Sequence, residues 1–596
     1  MNADIHRATL SHRDGGISRA PVLRSGCIWT RTLVSAILGC GLCISIAQAQ
    51  VVPDAGSVLR EQERARTPGV PPRTVPAPTV EEPTRPAMKA PEGARFIVKG
   101  FRFTRTTAFP EAQLLPLLQD LVGKSVGLAD LEGAADRITR YYRSRGWMVA
   151  RAYIPSQDIK DGIVEIIVLE GRLDRVSVVS GEGGRLNAEV VTDIVAAALH
   201  AGELREDGME RALLLINDLP GVQATSSLSP GADVGTSLLT VETVEGRALA
   251  GNVDLDNGGS KFSGVWRLGA NLNLNDPRGI GDQLFARVTH SSGTEYARLG
   301  YQLPWGANGL TAGASYTYSD YRLCCDFAPL QAKGDAKVAS LTLAYPVMRS
   351  RAANVRLSAG VDAKAFYNQT IAGTTGDKDA RVLNLALSAD ATDAWAGGGY
   401  SSGSVSVAAG RLDLGGWSPD LQVDDATART HGDYQKVNLT ALRLQAVGDD
   451  WTLFAAFSAQ FASRNLDSAE KFSLGGPAGV RAYPQGEAAG DEGLQLNLEM
   501  RRQLGHGFEL SGFFDHGEIR LHRNEWAGWQ GANTRIGNRY GLSGVGVALQ
   551  YSSSAVQIRA TVAQPLGSNP GRDVHDNDSD GRHSHTRAWL TATAYF

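Results

Sequence analysis

A chain of 596 residues exceeds what one hydrophobic core usually serves, so at least two domains are expected. Its 59 basic and 63 acidic residues leave a formal charge of -4, which excludes the strongly basic footprint of a general nucleic-acid binder. Glycine at 68 positions without a collagen period, beside many short alternating segments, points to strands and tight turns and away from packed helices.

The chain begins with an export signature. Arg24 and Arg31 precede the apolar run Leu33–Ile46, followed by the small-x-small triplet Ala47-Gln48-Ala49, so residues 1–49 are expected to be a signal peptide cut near Ala49. Cys27, Cys40 and Cys43 leave with it. The remaining Cys324 and Cys325 exclude a disulfide scaffold or a four-cysteine zinc site; as neighbours they form either a local disulfide or an incidental loop pair. No later segment offers 18 uninterrupted apolar residues, so the mature chain is either soluble or a β-barrel.

Within 50–67, the stretch 55–67 (AGSVLREQERART) has helical spacing, with Val58, Leu59 and the stems of Arg60 and Arg64 as a narrow apolar surface. Alone in water such a helix is marginal. Residues 68–93 carry eight prolines, from Pro68 to Pro91, and read as an extended linker without regular structure. A short helix on a tether is built to dock elsewhere.

Residues 94–171 read as an α+β module. A strand is predicted at 96–103, helices at 110–121 and 128–146, and strands at 147–154 and 163–169 joined by a hairpin turn at Asp161-Gly162. Leu131, Ala135, Ile138 and Tyr142 share the second helix's buried face. The same order recurs in 172–247: a strand at 172–179, helices at 187–199 and 207–218, then strands at 222–228 and 237–244. Nothing in either module looks catalytic. Two copies suggest a rigid arm whose edge strands can receive an extended guest chain.

From Ala248 to the end, period-2 alternation replaces helical spacing. Sixteen candidate strands run from 248–257 and 261–274, through 379–390, to 585–596. Their even number returns the chain to the side it entered, as in a closed antiparallel transmembrane barrel. With the N-terminal arm taken as periplasmic, connections alternate between short turns on that side, such as 448–450 and 504–505, and long loops on the other, such as 412–432, 464–491 and 519–539, the pattern of bacterial barrels. In the last strand Leu590, Ala592, Ala594 and Phe596 share one face that must meet lipid or the first strand.

The segment KFSLGGPAGVRAYPQGEAAGDEG (471–493) resembles the long sixth-loop signature of two-partner-secretion transporters, the hemolysin and filamentous-adhesin secretion and activation proteins of the Omp85 superfamily. GWMVARAYIPSQDIKDGIVEIIVLEG (146–171) resembles their first POTRA domain, and 213–235, with NDLPG and SPG, their second. ALAGNVDLDNGGS (248–260), NLNLNDPRGIGD (271–282) and Tyr345-Pro346 resemble the family as well. The resemblance implies a 16-stranded antiparallel transmembrane β-barrel (248–596) preceded by two small α+β POTRA domains, an N-terminal plug helix, and loop 464–491 folded back into the lumen. It singles out Gly475, Gly476, Val480, Arg481, Ala482, Tyr483, Gly490 and Asp491 in the loop, and Phe513, Asp515 and Gly517 as the F-x-D-x-G strand motif. Arg481 is expected to contact Asp515. Ala482 stands where the family often has glycine, which bears on how closely the backbone fits there.

Residue chemistry gives its own reading. An arginine in a Gly-Gly-Pro loop is ordinarily a solvated charge, but inside a lumen it needs a carboxylate, and Asp515 would satisfy it. Glu499 and Arg501 share a strand face and extend a luminal network, whereas Arg502 points the other way, toward an interface or a local irregularity. No GxxxxGK[ST], HExxH or GxSxG segment accompanies His290, His431, His516 and His585, so no nucleotide, metal, cofactor or catalytic residue is expected. The function the resemblance implies is translocation of a large exoprotein, with an N-terminal secretion domain, across a Gram-negative outer membrane by a monomeric barrel in outer-membrane lipid. A barrel-assembly insertase of the same superfamily is the alternative, and a passive porin a weaker one because it leaves the modules idle.

Overall fold

The computed structural model describes residues 52–64, 79–80, 95–159, 161–531 and 533–596; the expected leader at 1–49 and nearly all of the linker lie outside them. Sixteen strands close into one antiparallel barrel in sequence order. They are β1 (Leu249–Asp256), β2 (Arg267–Asn275), β3 (Gln283–Ser291), β4 (Thr294–Pro304), β5 (Thr311–Arg322), β6 (Lys333–Arg349), β7 (Ala353–Thr370) and β8 (Gly373–Asp393). The second half comprises β9 (Gly399–Asp413), β10 (Gly432–Val447), β11 (Trp451–Ala462), β12 (Glu492–Gly505), β13 (Phe508–Arg520), β14 (Arg539–Ser552), β15 (Val556–Leu566) and β16 (Arg587–Tyr595). The seam pairs Asn252 with Tyr595 through Asp256 with Thr591.

Alternation explains the wall. Along β8, Leu383, Leu385 and Leu387 are exposed on the outer face, while the intervening Asn384 faces the lumen, where its amide donates to Asp362. Leu341 and Leu343 of β6 and Val405 and Val407 of β9 continue the outward apolar band. In water that surface would be costly, since burying one such side chain is worth roughly 1.5–3 kcal/mol; in a bilayer it meets lipid. Among the described residues no helix is long and apolar enough to cross a membrane.

One rim carries the short turns at 276–282, 305–310, 350–352, 448–450, 506–507 and 553–555. The opposite rim carries the long loops, including 414–431, 463–491, 521–538 and 567–586, but also tight turns at 292–293 and 371–372, so not every outer connection is long. Strand β2 starts at Arg267, later than position 261, because 257–266 turns back on itself through a Gly259 N–H to Val265 carbonyl bond. Cys324 and Cys325, in outer loop 323–332, are joined as a vicinal disulfide.

The first module is a three-stranded sheet in which Gly100–Thr104 lies parallel to Ile163–Leu169, itself antiparallel to Arg151–Tyr153. Helix Leu128–Arg143 buries Leu131, Ala135, Ile138 and Tyr142 against it. Three sequence expectations change here. The strand expected at 96–103 breaks at Val98–Lys99, where Val98 N–H bonds to Lys124 and Lys99 N–H to Gly162. The helix expected over 110–121 turns 3-10 after Leu114, with Pro116 unable to donate an α-helical bond. The strand expected at 147–154 shrinks to 151–153, because Trp147 N–H still bonds to Tyr142 and closes the helix end; Asp161-Gly162 therefore ends a longer connection and is no tight hairpin.

The second module orders its strands Thr79–Val80, Val222–Pro230, Thr236–Glu245, Arg172–Ser180. Its outermost strand comes from the linker: Thr79 and Val80 pair parallel to Ser227 and Leu228. The linker was expected to lack regular structure, yet this proline-free pair adds to an open sheet edge. The module docks on the short-turn rim. Arg349 donates two 2.8 Å bonds to the Asp218 carboxylate, and Arg211 donates to the Pro346 carbonyl at 3.0 Å.

Candidate functional site: the sixth outer loop in the lumen

Loop 463–491 is the sixth on the long-loop rim, and it folds inward. Asp491 clasps its base, accepting from Leu466 N–H at 3.1 Å, Arg523 N–H at 2.8 Å and Lys471 Nζ at 3.0 Å. Phe472 pairs with Gly490 in a two-stranded ribbon. Toward the tip, Gly475 N–H bonds to Glu487, Gly476 N–H to Tyr483, and Val480 N–H to Leu474. Tyr483 is fully buried, and burial, with Asp578 and Glu487 nearby, pushes its phenol up to about 12. Burial also holds the Glu487 carboxyl above its ordinary range, although Asn569 Nδ2 and Ser579 N–H donate to it from outer loop 567–586.

The tip presents Arg481 to the inner wall. Its Nε and Nη2 donate to Asp515 at 2.8 and 2.7 Å, its own N–H adds a third bond to the same carboxylate at 3.0 Å, and Nη1 donates to Glu499. Its guanidinium lies 3.4 Å from the centroid of the Phe513 ring. Burial alone would lower the Arg481 pKa; the bonds to Asp515, then that charge and Glu499, hold it above the ordinary arginine value. Both partners are almost completely buried, so the bidentate geometry is what offsets their desolvation.

The F-x-D-x-G spacing now has a physical reason. Positions 513, 515 and 517 share the luminal face of β13. Phe513 stacks on the guanidinium, Asp515 binds it, and Gly517 leaves room for Leu474, whose Cδ2 would lie 2.6 Å from any Cβ there. Ala482 is accommodated by a second absence: Gly544, opposite Asp515 on β14, has no side chain, and a Cβ there would sit 2.6 Å from the Ala482 methyl. Ala482 is therefore buried and close-fitting.

The expected Glu499–Arg501 pair is present at 2.8 Å, and Arg501 also lies over Phe454. Arg502 points outward over Trp451, one residue before a register shift, the local irregularity that was one of its two expected settings. Sequence reasoning missed several members. Arg559 of β15 donates to Glu499 at 3.1 Å, Asn497 donates to Asp515 at 2.7 Å and to the Gly479 carbonyl at 2.9 Å, and the Trp589 indole donates to the Arg481 carbonyl at 2.8 Å. Their inward parity was legible; that strands so distant in sequence meet one loop tip was not.

A second luminal cluster ties the N-terminal helix α1 (Ala55–Arg64) to the same loop. Val58 and Leu59 pack with Tyr296, Tyr321 and Phe366 on the inner wall and with Phe262 of loop 257–266. Lys378 of β8 bridges Asp54, just before α1, at 2.9 Å and Asp467 of the loop at 2.6 Å. Burial alone would raise Asp54, but Lys378 and Ser468 hold it well below the carboxylate range. Arg60 donates to the Ser468 carbonyl at 2.6 Å, and Arg64 to Gln495 at 2.9 Å. Nearby, Glu470 pairs with Lys364 at 2.7 Å and Lys436 at 2.8 Å; against the upward pull of burial, these hold it at about 2. Among the described residues no group of three His, Cys, Asp or Glu is placed to hold a metal ion.

Comparison with known proteins places this geometry. Residues 235–547 match the family described as haemolysin secretion/activation protein ShlB/FhaC/HecB, and residues 96–171 match the ShlB-type POTRA domain. The chain is 27% identical to the heme/hemopexin transporter protein HuxB of Haemophilus influenzae (strain 86-028NP), over 91% of this chain and 95% of that protein. It is 24% identical to the outer membrane transporter CdiB of Dickeya dadantii (strain 3937), over 81% and 86% respectively. The solved structure of CdiB from Escherichia coli superposes with a TM-score of 0.66 at 20% identity, covering 86% of this chain and 93% of that one. CdiB from Acinetobacter baumannii gives 0.60 at 16% identity, covering 88% and 95%. The two structural likenesses carry the fold: a sixteen-stranded barrel with preceding modules.

Proposed function

The chain belongs to the ShlB/FhaC/HecB haemolysin secretion/activation family, outer-membrane transporters of the Omp85 superfamily, and on that premise we propose that its lumen is held shut by α1 and the sixth loop acting together. The protein translocates a partner exoprotein from periplasm to exterior, with its POTRA modules in the periplasm. The finer reading is that α1 is a plug, that Arg481 and Asp515 lock the loop, and that a monomer with no catalytic residue, metal or cofactor suffices. The observation that carries it is Lys378, which grips Asp54 and Asp467 at once, so helix and loop share one anchor.

The cargo is read as a large exoprotein whose N-terminal secretion domain arrives unfolded and adds to a module edge. The edge formed by Val222–Pro230 already carries Thr79–Val80, so a guest strand there competes with the chain's own linker. Displacing the linker pulls on the tether of a helix that is marginal on its own. In planar bilayers, Lys378→Ala is expected to raise the frequency of channel openings over the parent protein. Unchanged conductance together with unchanged secretion would remove the plug from the mechanism.

A further inference from the structure

The outward face of β6 to β10 carries a feature that translocation does not use. On β8 the apolar outward residues Leu387, Leu385 and Leu383 are followed, one step nearer the long-loop rim, by Arg381. On β9, Val405, Val407 and Ala409 are followed in the same way by Arg411. The ladder sets Arg381 directly opposite Arg411, an arrangement in which like charges repel. Arg411 reaches Asp433 only at 4.0 Å, between side chains that are 72% and 81% exposed. Among the described residues no ion pair within 4.0 Å neutralises Arg381. Asp379 and Asp413 oppose each other in the next outward row.

The row holding the arginines continues through Ala363 and Ala339 to Tyr316. The two alanines floor a groove of about 1470 Å³ bordered by Tyr316, Leu341 and Leu383, with both arginines and Asp433 on its rim. It exceeds the roughly 300–1,000 Å³ of an ordinary small-ligand pocket and is open along the lipid-facing wall. The modules dock on the opposite rim, so the arginines stand at the outer-leaflet boundary.

We propose that this groove binds a phosphorylated glycolipid of the outer leaflet, its acyl chains over Ala339 and Ala363 and a headgroup phosphate between Arg381 and Arg411. A phosphate is the anion that planar guanidinium groups grip through paired N–H donors, and placing it between them turns a repulsion into two attractions. The apolar floor beside the charges, with Leu383 and Ala409 one step further into the apolar band, suits a molecule that is anionic at one end and oily at the other.

The test uses full-length protein extracted folded from outer membranes, freed of lipid by detergent exchange and offered diphosphorylated lipid A, its dephosphorylated form, or phosphatidylethanolamine, with bound lipid counted by native mass spectrometry. The parent protein is expected to retain the diphosphorylated form selectively. The double variant Arg381→Gln/Arg411→Gln should retain about tenfold less, and Arg381→Lys/Arg411→Lys an intermediate amount, because Lys keeps the charge but loses the paired donors. Ala363→Leu, with both arginines intact, should also lower retention by filling the floor. Equal retention of the two lipid A forms by the parent protein, preference for phosphatidylethanolamine, or full retention by the double glutamine variant would each overturn the site. The comparison of lipids on the parent protein decides the matter even where a variant assembles poorly.

Discussion

On β8, Leu383, Leu385 and Leu387 face outward with no polar partner, while Lys378 and Asn384 of the same strand face inward and are fully engaged with Asp54, Asp467 and Asp362. One face is held by solvent exclusion and is indifferent to which apolar residue fills it. The other is held by directional pairs that fail when one partner is removed. The difference separates wall from gate: substitutions on the outer face should act on assembly, and those on the inner face on traffic.

The largest effect is expected from Asp515→Ala. It leaves Arg481 buried with only Glu499, and breaking such a pair costs roughly 3–5 kcal/mol. Secretion of the partner should fall by an order of magnitude or more while the folded barrel still shows heat-modifiable mobility on gels; normal secretion would disconnect the lock from traffic. Next comes the opposite face. Leu387→Arg places a charge in the lipid band at roughly 2–4 kcal/mol, so the amount of folded protein in the membrane should drop, with secretion per assembled barrel unchanged.

Smaller again is Gly544→Ala. Its new Cβ lies 2.6 Å from the Ala482 methyl, an overpacking worth about 1–3 kcal/mol, and Ala482→Gly in the same chain should restore secretion. Failure of that rescue would mean that Gly544 matters for another reason. The smallest effect is expected from acid. Glu470 is depressed to about 2 from an ordinary value of 4.5, so the stability it contributes is fully present above 4.5 and fades only as pH falls toward 2. Between pH 7 and 5, protease protection of the loop should not change through this group; loss of protection would show that its two lysines do not hold it.

How much could be read from the chain differs between the same two faces. The sixteen strands were legible because alternation such as Leu383-Asn384-Leu385 is local. The first module was less so: the bend at Val98–Lys99 depends on Lys124 and Gly162, which no local pattern announces. In the site, Arg481 and Asp515 were found through a family motif, and Glu499 with Arg501 through strand parity. Arg559, Trp589 and the Asp54–Lys378–Asp467 bridge went unread because their meeting is fixed by barrel closure and by the helix entering the lumen. Ala482 looked like a departure from the motif until Gly544 supplied the missing volume.

The bond from Trp589 to the Arg481 carbonyl has a consequence for the order of folding. Trp589 sits on β16, the last strand made, and β16 must find β1 across nearly the whole barrel sequence before the wall closes. Such distant pairings form late, because the intervening chain must give up its freedom first. The loop tip thus cannot complete its contacts before the strand that carries Trp589 is in place. Full engagement of Arg481 is a record, written in one indole hydrogen bond, that β16 has taken its place and the cylinder is whole.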